Sequence, residues 1–206
     1  KQSSPALNSL MKKTIEIDDT IQCIMQLKEP VIKPRHWKHL NQIIKKTIPY
    51  DSPDFSVDSL LQLEIYKVKA AVDEERNIAG EQNKIEIAYN KIDKTWQSEK
   101  FRMTNNLNKK TYDIYLFDHG QMDLVIENLE KDQNTLIQMS QKKGFLENFE
   151  KMGELINDKM EKLKTVDDVI KQWLKLQKNW EKLEVIFLKS DDIQNKLRNE
   201  YTQFKE

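Results

Sequence analysis

Residues 173–187 read WLKLQKNWEKLEVIF. Trp173, Trp180 and Phe187 recur every seven residues, with Leu176 and Leu183 between them. In an α-helix that spacing puts all five on one face. A tryptophan stripe also suits stacking of bases or ligands, but at heptad spacing among leucines and isoleucines it reads as a packed seam. Trp37, Trp96, Trp173, Gln177, Trp180, Leu183 and Phe187 are accordingly assigned to structural seams. A Trp180→Ala change is expected to cost about 3–5 kcal/mol if that face is buried.

Helical periodicity extends outward on both sides. Thr165 and Asp168 form a T-x-x-D capping signal that starts the tryptophan helix. Ser190, Asp191 and Asp192 cap a last helix carrying Ile193, Leu197, Tyr201 and Phe204. Upstream, Phe145, Phe149, Met152, Ile156, Met160 and Leu163 mark a helix over 144–163. Met122, Val125, Ile126, Leu129, Leu136 and Met139 mark another over 121–140. Short loops between these helices predict antiparallel neighbours.

Before them the texture changes. KFRMTNN and TYDIYLF are short, partly alternating and rich in aromatic or β-branched residues. Phe101 and Met103 share one face; Tyr112, Ile114 and Leu116 share a face of the second run. This predicts a β-hairpin over 99–117 with a loop longer than two residues, Lys109 and Lys110 lying at its tip.

The first half is helical. Residues 5–27 open with Ser4 as cap and Pro5 at the first helical position, and carry the stripe Leu7, Leu10, Ile17, Ile21 and Ile24. Pro34 opens a second helix with Trp37, Leu40, Ile43 and Ile44 inward. Pro49, Asp51, Ser52, Pro53 and Asp54 are turn chemistry. A long helical stretch follows over roughly 57–97, with Ile85, Tyr89, Ile92 and Trp96 at helical spacing and Gly80 as a candidate break or bend. The expected architecture is mainly α: elongated antiparallel helical bundles with one long helix and a small β-hairpin. Its subregions are a helical part over 1–97, the hairpin over 98–118 and a helical bundle over 119–206.

Composition narrows function. The chain has 206 residues, 38% hydrophobic and 33% charged, with 34 basic residues balanced by 34 acidic ones. A nucleic-acid binder would show a net basic stripe. No apolar run reaches the about 18 residues a membrane helix needs. The opening KQSSPALNSLMKK lacks the apolar core of a secretory signal and reads as a cut inside a longer chain. A single cysteine, Cys23, excludes an internal disulfide and fits a small core residue in a reducing compartment. The four glycines, Gly80, Gly120, Gly144 and Gly153, belong to no phosphate-binding loop. His36 and His39 lie three apart without a third ligand, so packing or surface roles outweigh metal binding. Asp73, Glu74, Glu75 and Glu81 read as a solvated helical face. No catalytic, cofactor-binding or metal residue is assigned.

Four motifs occur in order: Pro34-Arg35-His36-Trp37; Ala79, Ile85-Glu86, Tyr89, Ile92 and Trp96; Trp173, Gln177, Trp180, Leu183-Glu184 and Ile186-Phe187; and Asp192-Ile193, Leu197, Glu200 and Phe204. Together they resemble the N-terminal part of the dynein heavy-chain linker, over about residues 34–204. The chain departs from the family pattern at three places. Leu197-Arg198-Asn199-Glu200 stands for Leu-Pro-x-Glu, Lys159 stands where a tryptophan is common, and Gln82 stands for a glutamate. The resemblance implies a curved helical arm that bends over a ring of six AAA+ modules and straightens in the power stroke along microtubules. Catalytic residues, ATP and Mg would lie in the ring, outside this segment. It further implies as partners the AAA+ ring of the same chain, microtubules through the parent motor and other dynein subunits, without nucleic acid or membrane. The setting it implies is cytoplasm and cytoskeleton, with a ciliary or flagellar axoneme favoured. The competing readings are a passive helical scaffold, spectrin-like or coiled-coil, and a ligand-binding or enzymatic bundle. The hairpin and the lack of a fixed repeat weigh against the first, and the lack of convergent polar groups against the second.

Overall fold

The computed structural model describes residues 5–53, 55–105, 115–149 and 151–205. Helices α1 (Pro5–Leu27), α2 (Pro34–Ile44) and α3 (Val57–Gln62) lead through a 3-10 turn, Ile65–Val68, into α4 (Lys69–Ser98). Strands β1 (Met103–Asn105) and β2 (Tyr115–Phe117) follow. Helices α5 (His119–Gln141), α6 (Lys143–Leu146), α7 (Met152–Lys189), α8 (Asp191–Lys196) and α9 (Arg198–Lys205) complete the chain. The mainly helical class with a small hairpin is as expected, but two helices are long, α4 with 30 residues and α7 with 38, where one was expected. Packing groups the chain into two units: Lys1–Lys91 with Lys142–Gly153, and Ile92–Gln141 with Glu154–Glu206.

In the first unit the core gathers Cys23, Leu27, Trp37, Leu40, Ile48, Leu60, Ile65 and Val72. Cys23 is fully buried, and burial pushes its thiol up to about 11, so it packs as a neutral small residue. Of the expected stripe of α1 only Ile24 packs, partly buried, against this core. Thr20, Cys23 and Leu27 face inward, whereas Leu7, Leu10, Ile17 and Ile21 are 46–63% exposed. Polar ties select the face: Gln26 Nε2 donates to Asp73 at 2.6 Å, and Lys69 Nζ pairs with Asp19 at 2.7 Å. The buried Thr20 hydroxyl is satisfied by the Glu16 carbonyl at 2.7 Å. In α2, Trp37 and Leu40 are buried as expected, but Ile43 is 41% exposed and His36 takes the inward place.

The stretch expected over 57–97 is broken early. Glu64 adopts a left-handed φ of 55° between α3 and the 3-10 turn. Gly80, by contrast, sits inside an unbroken 30-residue α4, about 45 Å long at about 1.5 Å per residue.

In the second unit the hairpin is present at its base. Met103 pairs with Phe117, Thr104 with Leu116 and Asn105 with Tyr115, antiparallel. Residues 106–114, including Tyr112, Ile114, Lys109 and Lys110, lie outside the described residues, as does the cap residue Ser4. Helix α7 runs 38 residues without stopping at Thr165. The Thr165 hydroxyl donates to the Glu161 carbonyl at 3.0 Å, so the capping signal is absorbed inside the helix. The last helix is in turn interrupted. Leu197 leaves helical geometry (φ −118°, ψ 57°) while its N–H still bonds Ile193, and α9 restarts at Arg198. Ser190 occupies the N-cap of α8 without a side-chain capping bond.

Candidate functional site

Two buried polar clamps, one in each unit, are the most specific geometry of the chain. The first is built on α2 and α4. Pro34 sets the start of α2, which brings His36 to its third helical position. There His36 Nδ1 accepts the Lys33 backbone N–H at 2.8 Å, the part a glutamate plays in a capping box. With Nδ1 accepting, Nε2 carries the proton and donates to Gln82 Oε1 at 3.0 Å. Arg35 Nε donates to the same oxygen at 2.6 Å, and Gln82 Nε2 donates to the Phe145 carbonyl at 2.9 Å. Gln82 is 1% exposed and His36 also 1%. The Arg35 guanidinium lies 4.2 Å from the centre of the Phe149 ring. Lys33 Nζ closes the outer edge on Glu86 at 2.6 Å.

The electrostatics follow from burial. Loss of water pushes the His36 pKa below its ordinary 6.5, and the charges of Arg35 and Lys33 push the same way against the Gln82 hydrogen bond. The imidazole is thus a neutral link. His39 Nδ1 meets Glu75 Oε2 at 2.5 Å, and Glu75 is only 3% exposed, so the acidic run of α4 is not one solvated face. Glu81 is held down to about 2 by hydrogen bonds from Lys84 and Lys142. From the sequence, Gln82 is named only as a departure from a family pattern; the signal that could have found it is a lone polar residue on the apolar face of Ala79, Ile85 and Tyr89, where a buried side chain must be hydrogen-bonded.

The second clamp joins α7 to β2. Gln177 Oε1 accepts the Phe117 N–H at 2.9 Å and Gln177 Nε2 donates to the Phe117 carbonyl at 3.0 Å. One side chain therefore completes both backbone groups of a strand residue, acting as a further rung of the sheet. Phe117 packs on Trp173 at 5.1 Å and on Phe101 at 5.7 Å. His119 Nε2 and Glu181 Oε1 lie 3.1 Å apart beside it.

The residues assigned to seams fare unequally. Trp37 is 9% exposed and stacks on Tyr50 at 5.2 Å. Trp96 is half-buried, its indole N–H donating to Asp132 at 2.9 Å. Gln177 is 3% exposed. Trp173 at 39% and Leu183 at 42% are exposed, and Trp180 and Phe187 are half-buried. The heptad stripe of α7 is thus a half-open face, because the helix packs through the neighbouring row Leu163, Ile170, Gln177 and Glu184 instead.

Neither clamp is arranged for chemistry. Their hydrogen bonds join glutamine amides to backbone, histidine and arginine groups, with no nucleophile beside a base. Among the described residues no group of three His, Cys, Asp or Glu side chains is placed to hold a metal, and no helix is long and apolar enough to cross a membrane. All four glycines lie in helices and none has a positive φ, so they form no backbone cradle into which a nucleotide phosphate would fit. The three positions departing from the family pattern have clear surroundings. Gln82 is the hub of the first clamp. Lys159 pairs with Asp93 at 2.5 Å. Arg198 holds the first position of α9, a place that suits proline.

Comparison with known proteins agrees with the family resemblance. The family model of the dynein heavy chain, N-terminal region 2, matches residues 1–206. The chain is 28% identical over 178 residues to the dynein alpha chain of the flagellar outer arm of Chlamydomonas reinhardtii, covering 86% of this chain and 4% of that protein. It is 29% identical over 188 residues to mouse (Mus musculus) dynein axonemal heavy chain 17, covering 90% and 4%. To the ciliary dynein beta chain of Tripneustes gratilla it is 27% identical over 202 residues, covering 97% and 4%. It therefore spans about 4% of the length of these relatives. A match over every residue, with the four motifs in order on a helical scaffold, makes the chain a member of the dynein heavy chain family, N-terminal region 2.

Proposed function

We propose that the chain is part of the mechanical linker of a dynein heavy chain, a lever that bends over the AAA+ ring during the ATP cycle and produces the power stroke on microtubules. The observation that carries this reading is the pair of long helices, 30 and 38 residues, each fixed to a neighbouring segment by a buried, hydrogen-bonded glutamine. A lever must resist bending and lateral slip. Helices supply length, and clamps whose rupture strands several buried polar groups supply the lateral hold. ATP and Mg act in the ring, outside these residues. The partners are the ring of the same chain, microtubules through the motor, and other dynein subunits. The axonemal and ciliary relatives favour a cilium or flagellum as its setting.

The test is coupling. In the full motor, Gln82→Leu and Gln177→Leu should lower microtubule gliding velocity severalfold while ATP turnover by the ring persists. Velocity and turnover both unchanged would make this segment a passive tether. A proportional fall in both would place its role in the ring chemistry instead.

A further inference from the structure

Asp167 of α7 is 9% exposed, and the fold satisfies only half of its carboxylate. Oδ2 accepts from Lys171 Nζ at 2.7 Å. Oδ1 is fully buried and, among the described residues, has no hydrogen-bond donor. A buried carboxylate oxygen without a donor is costly, so native folds almost always supply one. Asp167 lines a groove of about 490 Å³ between α5 and α7, both in the second unit. Gln133 and Ile137 form one wall, and Met160, Glu161, Lys164 and Asp168 form the other. Three carboxylates thus line the groove against one ammonium, and Lys171 is already engaged by Asp167. The groove is therefore negative, with Ile137 and Met160 as its apolar lining, and it repels anions. A metal ion finds no group of three ligands there among the described residues.

We propose that this groove seats an arginine side chain of a partner protein, its guanidinium donating to the unpaired oxygen of Asp167 and its stem lying on Ile137 and Met160. The orphaned oxygen defines the missing group as an N–H donor, and the surrounding carboxylates require it to be cationic. The apolar lining asks for a carbon stem behind that charge. Arginine meets these demands better than lysine. Its five N–H groups in a planar fork serve Asp167 and a second carboxylate together, and a guanidinium is more weakly hydrated than an ammonium. The chain's own arginines do not supply the donor. Arg35 and Arg76 are held by Gln82 and Glu29 in the first unit, Arg102 precedes β1 and Arg198 opens α9.

The inference rests on this groove and not on the lever reading. It is tested in the full-length heavy chain within its assembled motor, with a photoreactive benzophenone side chain in place of Asn134, which is exposed and stands next to Gln133. The expected crosslink joins position 134 to a partner-protein peptide that contains an arginine, and replacing that arginine by alanine should lower the yield about fivefold. Asp167→Asn should lower the yield to a similar degree. Lys164→Glu, at an exposed position, removes the competing ammonium and should raise the yield about twofold. Crosslinks confined to the heavy chain itself overturn the proposal, as does the absence of any crosslink, the result for a groove that holds only water. An arginine whose loss leaves the yield unchanged overturns it as well. Where Asp167→Asn also speeds amide exchange across 160–171, Lys164→Glu decides, and an unchanged or lower yield there overturns the inference. Gliding velocity is not read in any of these measurements, so their failure and that of the lever reading are separable.

Discussion

Trp37 and Trp173 both sit on amphipathic helices at positions that helical spacing marks as inward, and they end in different surroundings. Trp37 is 9% exposed, stacked at 8° on Tyr50 and met edge-on by Phe55 at 6.1 Å. The turn-rich stretch after α2 supplies that cover, with Asn41 Oδ1 fixing it by accepting the Ile48 N–H at 2.8 Å. Trp173 packs on Phe117, its one aromatic neighbour among the described residues, and stays 39% exposed. Periodicity therefore states that a face is apolar. Whether the local chain also provides its cover is a tertiary fact decided by other residues.

The sharpest way to break this comparison is to remove both rings. Trp37→Ala should cost about 3–5 kcal/mol by chemical denaturation with amide exchange resolved for each unit. Trp173→Ala should cost about 1 kcal/mol, and Trp180→Ala an intermediate amount, below the figure for a buried ring. Equal losses for Trp37 and Trp173 would show that α7 is covered within these residues after all.

Next in size is Gln82→Leu, which strands the His36 Nε2–H, the Arg35 Nε–H and the Phe145 carbonyl, at roughly 2–3 kcal/mol. Gln177→Leu removes two bonds to Phe117 and should cost roughly 1–3 kcal/mol. Its specific mark is faster exchange at the Phe117 amide with the first unit unaffected.

A smaller effect is read by pH. His36 stays neutral in the fold with its pKa below 6.5, so the unfolded chain binds more protons there. Stability of the first unit should therefore fall as pH drops below about 6.5 toward the folded value, and His36→Gln should flatten that slope. Gln82→Glu should reverse it. A carboxylate facing the imidazole would raise the folded pKa and add stability that is present at low pH and lost as pH rises through the raised value. Glu81, depressed from 4.5 to about 2, contributes in a separate window. Its share is present above 4.5 and is lost as pH falls toward 2.

Much of the scaffold was readable because strong local signals agreed with the final packing. Pro5 and Pro34 start helices, the tryptophan segment is helical, and alternation marks the hairpin strands. The readings that differ have more than one cause. Thr165 and Asp168 spell a helix start, yet Thr165 bonds backward and α7 continues. The apolar stripe of α1 predicts its inner face, yet the ties of Asp19 and Gln26 to Lys69 and Asp73 turn Thr20, Cys23 and Leu27 inward. The break at Glu64 carries no glycine or proline to announce it. Of the clamps, Gln177 was singled out by its place among tryptophans. Gln82 was noticed only as a departure from a family pattern, since the partners that give it meaning, Arg35 and Phe145, are far away in sequence.

Gly80 has one further consequence. It lies mid-helix with an ordinary helical φ, and a Cβ built there meets nothing within 4 Å. Neither space nor backbone geometry requires glycine, and alanine would favour the helical state by about 1 kcal/mol. The 30-residue helix thus carries a built-in soft point in its first half, and its flexural rigidity sits below what the same fold would permit. Gly80→Ala is the single methyl group by which that elastic constant can be raised without touching either clamp.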